Sequence, residues 1–357
     1  MSSASLRIVP RASARTGPAD RLADLDRAKG LAILLVVFGH LVARDPPQSV
    51  LWYEPLRVAV YLFHMPLFMY LSGYVTFLCG AATAPPIAWP TLLRRRAIRL
   101  LLPFLAFGLA VLCGKLIAST ALAVDNAPSG FLSGLASLLW DTQHSPATSA
   151  WYLVALFSYC AITPPLLALD RSYGVMVAVA ALLYVAPLPP ILYLDRIGSY
   201  YVFFVAGLIA AENGKRWRRF IDEWHGTALA AMLLVVLPIA AGWVTFEWRE
   251  GAQGFPYKWA LLLAGSLALP GVHGLVRHGA FARSTTLAIL GRYVFVIYLF
   301  NTILIGLTKA LLLKAVPWNG TNFLSFAATL MVAGTLGPIL LKRTLLARIP
   351  MLDRATD

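Results

Sequence analysis

The stretch "DRAKGLAILLVVFGHLVARD", residues 26–45, decides how the chain is read. A charged cluster (Asp26, Arg27, Lys29) leads into an apolar helix that carries His40 near its far end. Ten residues separate Lys29 from His40, and at 1.5 Å of rise per residue the two lie about 16 Å apart along a helix axis. Lys29 then belongs at a membrane surface and His40 near the middle of the bilayer. An ionisable side chain at that depth is costly unless it faces a partner or water, which makes it a functional candidate by default.

The remainder of the 357 residues supports a membrane reading: 59% are hydrophobic and 13% charged, with mean hydropathy +0.72. A soluble domain carries about a quarter charged residues to solvate its surface. The net charge of +14 raises nucleic acid as a partner, but the position of the charges argues against it. Lys and Arg fall in short runs between apolar stretches, as in the cytoplasmic loops of a membrane protein. Cys79, Cys113 and Cys160 have no paired spacing, so neither a disulfide framework nor a metal site is expected.

A crossing helix needs about 20 apolar residues. Ten candidate spans follow, near 30–44, 57–79, 98–119, 150–169, 173–187, 196–211, 227–246, 257–276, 287–313 and 322–341. With both termini inside, 21 of the 30 Lys and Arg are cytoplasmic, 6 are external and three lie within spans. That asymmetry predicts an all-α, polytopic membrane helix bundle of about ten transmembrane helices with both termini cytoplasmic. Residues 1–29 read as a basic cytoplasmic tail rather than a cleavable signal peptide, 30–341 as the transmembrane domain and 342–357 as a C-terminal tail. The longest external loop, 120–149, lines a substrate entrance or is a passive connector.

His64 enters from the opposite side and reaches a depth within a turn or two of His40. A histidine takes and returns a proton near neutral pH, the role of a general base. Two histidines at similar depth, one preceded by Asp-x-x-Lys, favour chemistry at His40 over simple satisfaction of a backbone carbonyl; for His64 the two readings balance. Arg96 and Arg99, three apart on one helix face, offer forks for phosphate oxygens, or mark topology and contact lipid headgroups.

At these residues the sequence resembles the acyltransferase-3 family of bacterial integral-membrane acyltransferases. Asp26, Lys29 and His40 match its opening motif. Their form is similar to the fucose 4-O-acetylase-like and glucan-modifying branch, where lysine replaces the commoner arginine. "FHMPLFMYLSGY" matches the second motif at His64, Met65, Pro66, Ser72 and Gly73, and the family's Arg-x-x-Arg falls on Arg96 and Arg99. Further matches are "WYLVALF" from Trp151, "YYVFFVAGL" from Tyr200 and "LGRYVFVIYLFN" from Leu290. The chain departs from relatives at Asn301, where "YLxH" is common, and it lacks the fourth-span glutamate of the lipopolysaccharide- and peptidoglycan-modifying branch.

The resemblance implies an acyl-CoA donor, acetyl-CoA first, held by its phosphates at Lys29, Arg96 and Arg99, with no metal. It implies His40 as catalytic base, with His64 lining the pocket or donating to the developing oxyanion. Asp26, Trp151, Tyr152 and Asn301 are expected to contact substrate, a glycan or lipid-linked sugar. The protein would be a multi-pass component of the bacterial inner membrane, with the bilayer as partner and monomer or homodimer left open. The rival reading is a secondary transporter or lipid-linked glycan flippase. The absence of paired broken helices and of a deep acidic residue in the sequence pattern counts against it.

Overall fold

The computed structural model describes residues 18–42, 47, 49–120, 124, 127–246, 254–279, 281–349 and 353. The first 17 residues of the N-terminal tail, and residues 350–352 and 354–357 of the C-terminal tail, lie outside the described residues.

Thirteen α-helices occur among the described residues, with no β-strand. They are α1 (Pro18–Gly39), α2 (Tyr53–Tyr61), α3 (His64–Leu78), α4 (Trp89–Ala118), α5 (Phe131–Leu139), α6 (Trp151–Leu169), α7 (Gly174–Val185), α8 (Leu194–Glu212), α9 (Gly214–Ala240), α10 (Phe255–His278), α11 (Thr285–Arg292), α12 (Val294–Leu312) and α13 (Gly320–Thr344). Eight helical stretches are long and apolar enough to cross a membrane: α2 with α3, then α4, α6, α8, α9, α10, α12 and α13. The 12-residue apolar α7 and the partly charged α1 lie where the two remaining spans were expected, but neither meets that length and composition. Leu182, Leu234, Leu340 and Ile117 point outward with more than half their surface exposed, the face a bundle offers to lipid. The protein is a multi-pass membrane helix bundle.

Three expectations need correction. Helix α1 starts at Pro18, so residues 18–29, read as tail, are helical; it also stops at Gly39, short of residue 44. The early start has a tertiary cause, because Leu25 and Ala28 are buried. The second span is interrupted at Leu62–Phe63 and the ninth at Tyr293, so broken helices are present after all. The loop between α4 and α6 packs against the bundle. Ser145, Ala147 and Ala150 are buried, the Tyr193 hydroxyl donates to the Leu138 carbonyl at 3.2 Å, and the Tyr298 hydroxyl donates to the Ser149 carbonyl.

Hydrocarbon gives helices no hydrophobic reason to associate, so close van der Waals contact between small residues has to hold them. Two reciprocal crossings do this. On α3 and α8, a Cβ at Gly73 would stand 2.0 Å from the Phe204 carbonyl oxygen, and one at Gly207 2.0 Å from that of Tyr70. On α1 and α11, a Cβ at Gly30 would meet the Leu287 oxygen at 2.0 Å, and one at Gly291 the Asp26 oxygen at 1.8 Å. The first crossing fixes the helix of His64; the second fixes the helix of His40.

Gly207→Ala is therefore expected to force α3 and α8 apart and cost about 1–3 kcal/mol or more. The same change at Gly306, where nothing lies within 4 Å, is expected to be neutral or mildly stabilising. Thermal midpoints in one detergent, read as surviving monodisperse protein, check the contrast.

Candidate functional site

His40 sits in the turn just past the end of α1. Ending a helix at membrane depth frees carbonyls that no water can reach, and each needs a partner from within the protein. The Phe38 carbonyl accepts from the Tyr53 hydroxyl at 2.6 Å and that of Gly39 from the Tyr61 hydroxyl at 3.0 Å. Gly39 is what lets this phenol in, since a Cβ there would lie 2.5 Å from the Tyr61 ring. The α2–α3 break is capped likewise: the Val60 carbonyl accepts from His64 Nδ1 at 2.9 Å. The Tyr61 and His64 rings lie 4.9 Å apart. His40, Tyr61 and His64 thus form one polar knot around two helix ends.

Asn301 joins it from α12. Its Nδ2 donates to the carbonyls of Ile297 and Tyr298, both at 2.8 Å. Those acceptors fix the orientation of the amide, which leaves Oδ1 facing His40 Nδ1 at 2.7 Å. An amide oxygen only accepts, so neutral His40 carries its proton on Nδ1 and keeps a lone pair on Nε2. That is the tautomer a general base needs. Asn301 is fully buried with its amide committed to His40 and the backbone, where it orients the His40 ring. His64 obeys the same logic. Its Nδ1–H is spent on a carbonyl, so neutral His64 has no proton on Nε2 to give an oxyanion, and the expected donor role is not available to that form.

In the charged first half of α1, the Lys29 ammonium lies 3.8 Å from the Asp26 carboxylate and within electrostatic reach of Arg99. Asp26 is three turns or more from His40 along α1 and pairs with Lys29, so it is remote from His40. Arg96 donates to Cys79 Sγ at 3.6 Å and acts electrostatically on Tyr152. Tyr152 meets Ser72 through a 2.6 Å hydroxyl contact and packs 5.2 Å from the Tyr298 ring, one turn before Asn301. Trp151 lies apart from this line, stacked on Tyr200 with centroids 5.0 Å apart. The structure therefore brings together His40, His64 and Asn301, places Lys29 beside Arg99, and sets Tyr152 between Arg96 and the neighbours of Asn301.

A second polar cluster was not read from the sequence. The Trp217 indole N–H donates to the Tyr70 hydroxyl at 2.6 Å. That hydroxyl meets His273 Nδ1 at 2.8 Å, and His273 Nε2 faces Asp24 at 3.9 Å. Arg277 closes the cluster, 2.9 Å from Asp24 and 3.1 Å from Asp222. Asp24 lies on the first half of α1, before the apolar stretch. Burial pushes its carboxyl upward, but His273 and Arg277 outweigh that and hold it below the ordinary carboxylate value. No sequence signal joins residues so far apart; even Asp24, two before Asp26, lies just outside the stretch first singled out.

A family model described as "Acyltransferase domain" matches residues 22–343. Two relatives are each called "Nodulation protein NolL". That of Sinorhizobium fredii (strain NBRC 101917 / NGR234) is 28% identical over 215 residues, 60% of this chain and 55% of its own length. That of Mesorhizobium japonicum is 26% identical over 343 residues, 90% of this chain and 87% of its own. The chain thus matches about half the length of the first relative and most of the second. No solved structure matches.

Two outcomes test this geometry. Nitrogen NMR of the ring-labelled protein should find His40 with Nδ1 protonated and Nε2 bare at neutral pH, and Asn301→Leu should mix the tautomers. Asp24→Asn should cost about 3 kcal/mol by leaving Arg277 and His273 underpaired. Adding Arg277→Gln should restore part of that loss, as a double-mutant cycle of melting in detergent would show.

Proposed function

The chain belongs to the acyltransferase family whose domain model it matches over residues 22–343, and on that premise we propose that it transfers an acyl group, acetyl first, from acyl-CoA to a carbohydrate hydroxyl. The observation that carries the proposal is the 2.7 Å bond from His40 Nδ1 to Asn301, which leaves Nε2 free as a base inside the bundle. The cations at Lys29, Arg96 and Arg99 suit the phosphates of coenzyme A arriving from the cytoplasm, with the flexible pantetheine arm covering the distance to His40. Tyr152 and Ser72 would flank that arm. The acceptor, an exported or lipid-linked glycan, would come from the external side of a bacterial cytoplasmic membrane.

In this reading His40 Nε2 takes the proton of the acceptor hydroxyl as its oxygen attacks the thioester carbonyl. The new C–O bond forms, the C–S bond breaks, and the imidazolium returns its proton to the departing thiolate. Asn301 Oδ1 keeps its hydrogen bond to Nδ1–H throughout and favours the imidazolium as it forms. A positioned base of this kind supplies about 10²–10⁴-fold.

The two interrupted spans are the observation that favours a transporter or flippase instead, and one experiment separates the readings. Protein in nanodiscs is given radiolabelled acetyl-CoA and a pool of bacterial glycans. Label is expected on glycan, falling about 10²–10⁴-fold in His40→Ala while donor binding persists. Equal activity in wild type and variant would remove His40 as the base. Failure to bind the donor would favour transport.

A further inference from the structure

Two side-chain stacks at the external end of the bundle share one construction. On α2, Glu54, Arg57 and Tyr61 recur at i, i+3 and i+7, along one helix face. The Glu54 carboxylate accepts from Arg57 Nε at 2.8 Å and from Nη2 at 2.6 Å, and the guanidinium lies 5.3 Å from the Tyr61 ring centroid. The second stack joins α8 to α6: the Arg196 guanidinium lies 5.7 Å from the Trp151 ring, with the Asp195 carboxylate 3.5 Å from its Nε. Arg196 also acts electrostatically on Tyr61, Tyr200 and Tyr257. Both guanidiniums therefore surround the phenol whose hydroxyl is bonded to the Gly39 carbonyl, next to His40.

Exposure shows which atoms a ligand would meet. The Trp151 and Tyr200 rings are buried, whereas the Arg57 side chain is 24% exposed and that of Arg196 43%. The open surface consists of guanidinium edges beside carboxylate oxygens, N–H donors next to acceptors, held flat by the rings beneath. Neighbouring hydroxyls of a sugar ring, each both donor and acceptor, complement that arrangement. A phosphate or carboxylate would need a guanidinium with its charge unmet, and each here already has its own carboxylate. One more cation, Lys258, acts on Asp195, but its ammonium donates to the Tyr184 carbonyl at 3.1 Å.

We propose that the Glu54–Arg57–Tyr61 and Asp195–Arg196–Trp151 stacks form the acceptor subsite, that it takes an uncharged polyhydroxylated sugar ring, and that Arg57 and Arg196 determine this specificity. The proposal rests on the acyltransferase reading above. It extends the contact expected at Trp151 to Glu54, Arg57, Tyr61, Asp195 and Arg196, and selects among glycans by charge.

The test uses the full-length protein in nanodiscs, labelled acetyl-CoA, and matched acceptors: methyl hexopyranosides and the corresponding methyl hexuronides. Wild type is expected to favour the neutral series at least about tenfold in kcat/KM. Arg57→Lys and Arg196→Lys keep the charge but lose the fork, and each should raise the KM for neutral acceptor about tenfold, with kcat changed far less; a tenfold change is 1.4 kcal/mol. Glu54→Gln with Asp195→Asn should shift preference toward the hexuronides by uncovering the guanidiniums. Lys309→Gln removes a similar cation-on-ring contact to Trp318, at 4.3 Å, outside the two stacks, and should leave acceptor KM unchanged. Unchanged acceptor KM in both arginine variants, or a wild type that prefers hexuronides, would overturn the proposal. If wild type transfers no label to any acceptor, the acyltransferase reading fails separately. Saturation-transfer NMR of the methyl hexopyranosides on the same nanodiscs then decides the subsite: a signal lost in Arg196→Lys upholds it, and no signal in wild type overturns it.

Discussion

A carbonyl released from a helix inside hydrocarbon must be bonded by the protein itself, because each unsatisfied polar group there costs several kcal/mol. The centre of this molecule is organised by that constraint. Helix α1 stops at Gly39 and the second span breaks at Leu62–Phe63, at the level where the two histidines meet. The Gly39 carbonyl is met by Tyr61, and those of Phe38 and Val60 each add a side-chain donor, Tyr53 and His64, to a backbone N–H. Capping the helix ends and assembling the site are therefore one event. The hydroxyl that satisfies Gly39 sits on the ring packed against His64, and that ring also carries the Arg57 guanidinium.

What holds the ends in register lies elsewhere. The Gly73–Gly207 crossing seats α3 on α8, and the Gly30–Gly291 crossing seats α1 on α11. Below them, Asp24, Arg277, His273 and Tyr70 tie α1, α10 and α3 together at the cytoplasmic end. Backbone contact at these distances tolerates no sliding, so the groups it carries arrive in fixed positions. Preorganisation of that sort is what a proton-transfer site needs, where small misplacement is expensive. The external stacks differ: their charged ends are half open, as suits groups that meet a ligand.

Much of the architecture was legible in the sequence because lipid imposes a length on each apolar run and a sign on each loop. The approach of His40 to His64 was legible for a related reason, since helix rise converts sequence position into depth; the place of Asn301 beside them was not. The helix breaks were not. Pro66 stands four residues past Leu62, where its ring and missing N–H disfavour a continuous helix, but the apolar run is unbroken across it. His64 bonds Val60 within the same segment, and only the Tyr61 bond to Gly39 is tertiary. The bond from His40 to Asn301 was not legible because it depends on which way the amide turns, and that is settled by two carbonyls on its own helix. The Asp24 cluster was hidden by the separation of its members along the chain. The Glu54–Arg57–Tyr61 face was within reach, because its i, i+3, i+7 spacing is plain, but a loop assignment obscured it.

The choice of asparagine at position 301 follows from the same constraint. A carboxylate would orient His40 and raise its basicity more, but inside the bundle it would bring a charge that needs its own counter-ion. A second histidine offers one ring nitrogen to His40 and leaves the other to find a partner. The amide has two N–H donors, both taken by the carbonyls of Ile297 and Tyr298, and an oxygen that takes the imidazole proton. Every polar atom it brings into the bilayer is used, and the complex stays neutral until the imidazole accepts a proton. The orientation of His40 is then obtained without a standing charge, held by Asn301 and by the hydroxyl bonds at the end of α1.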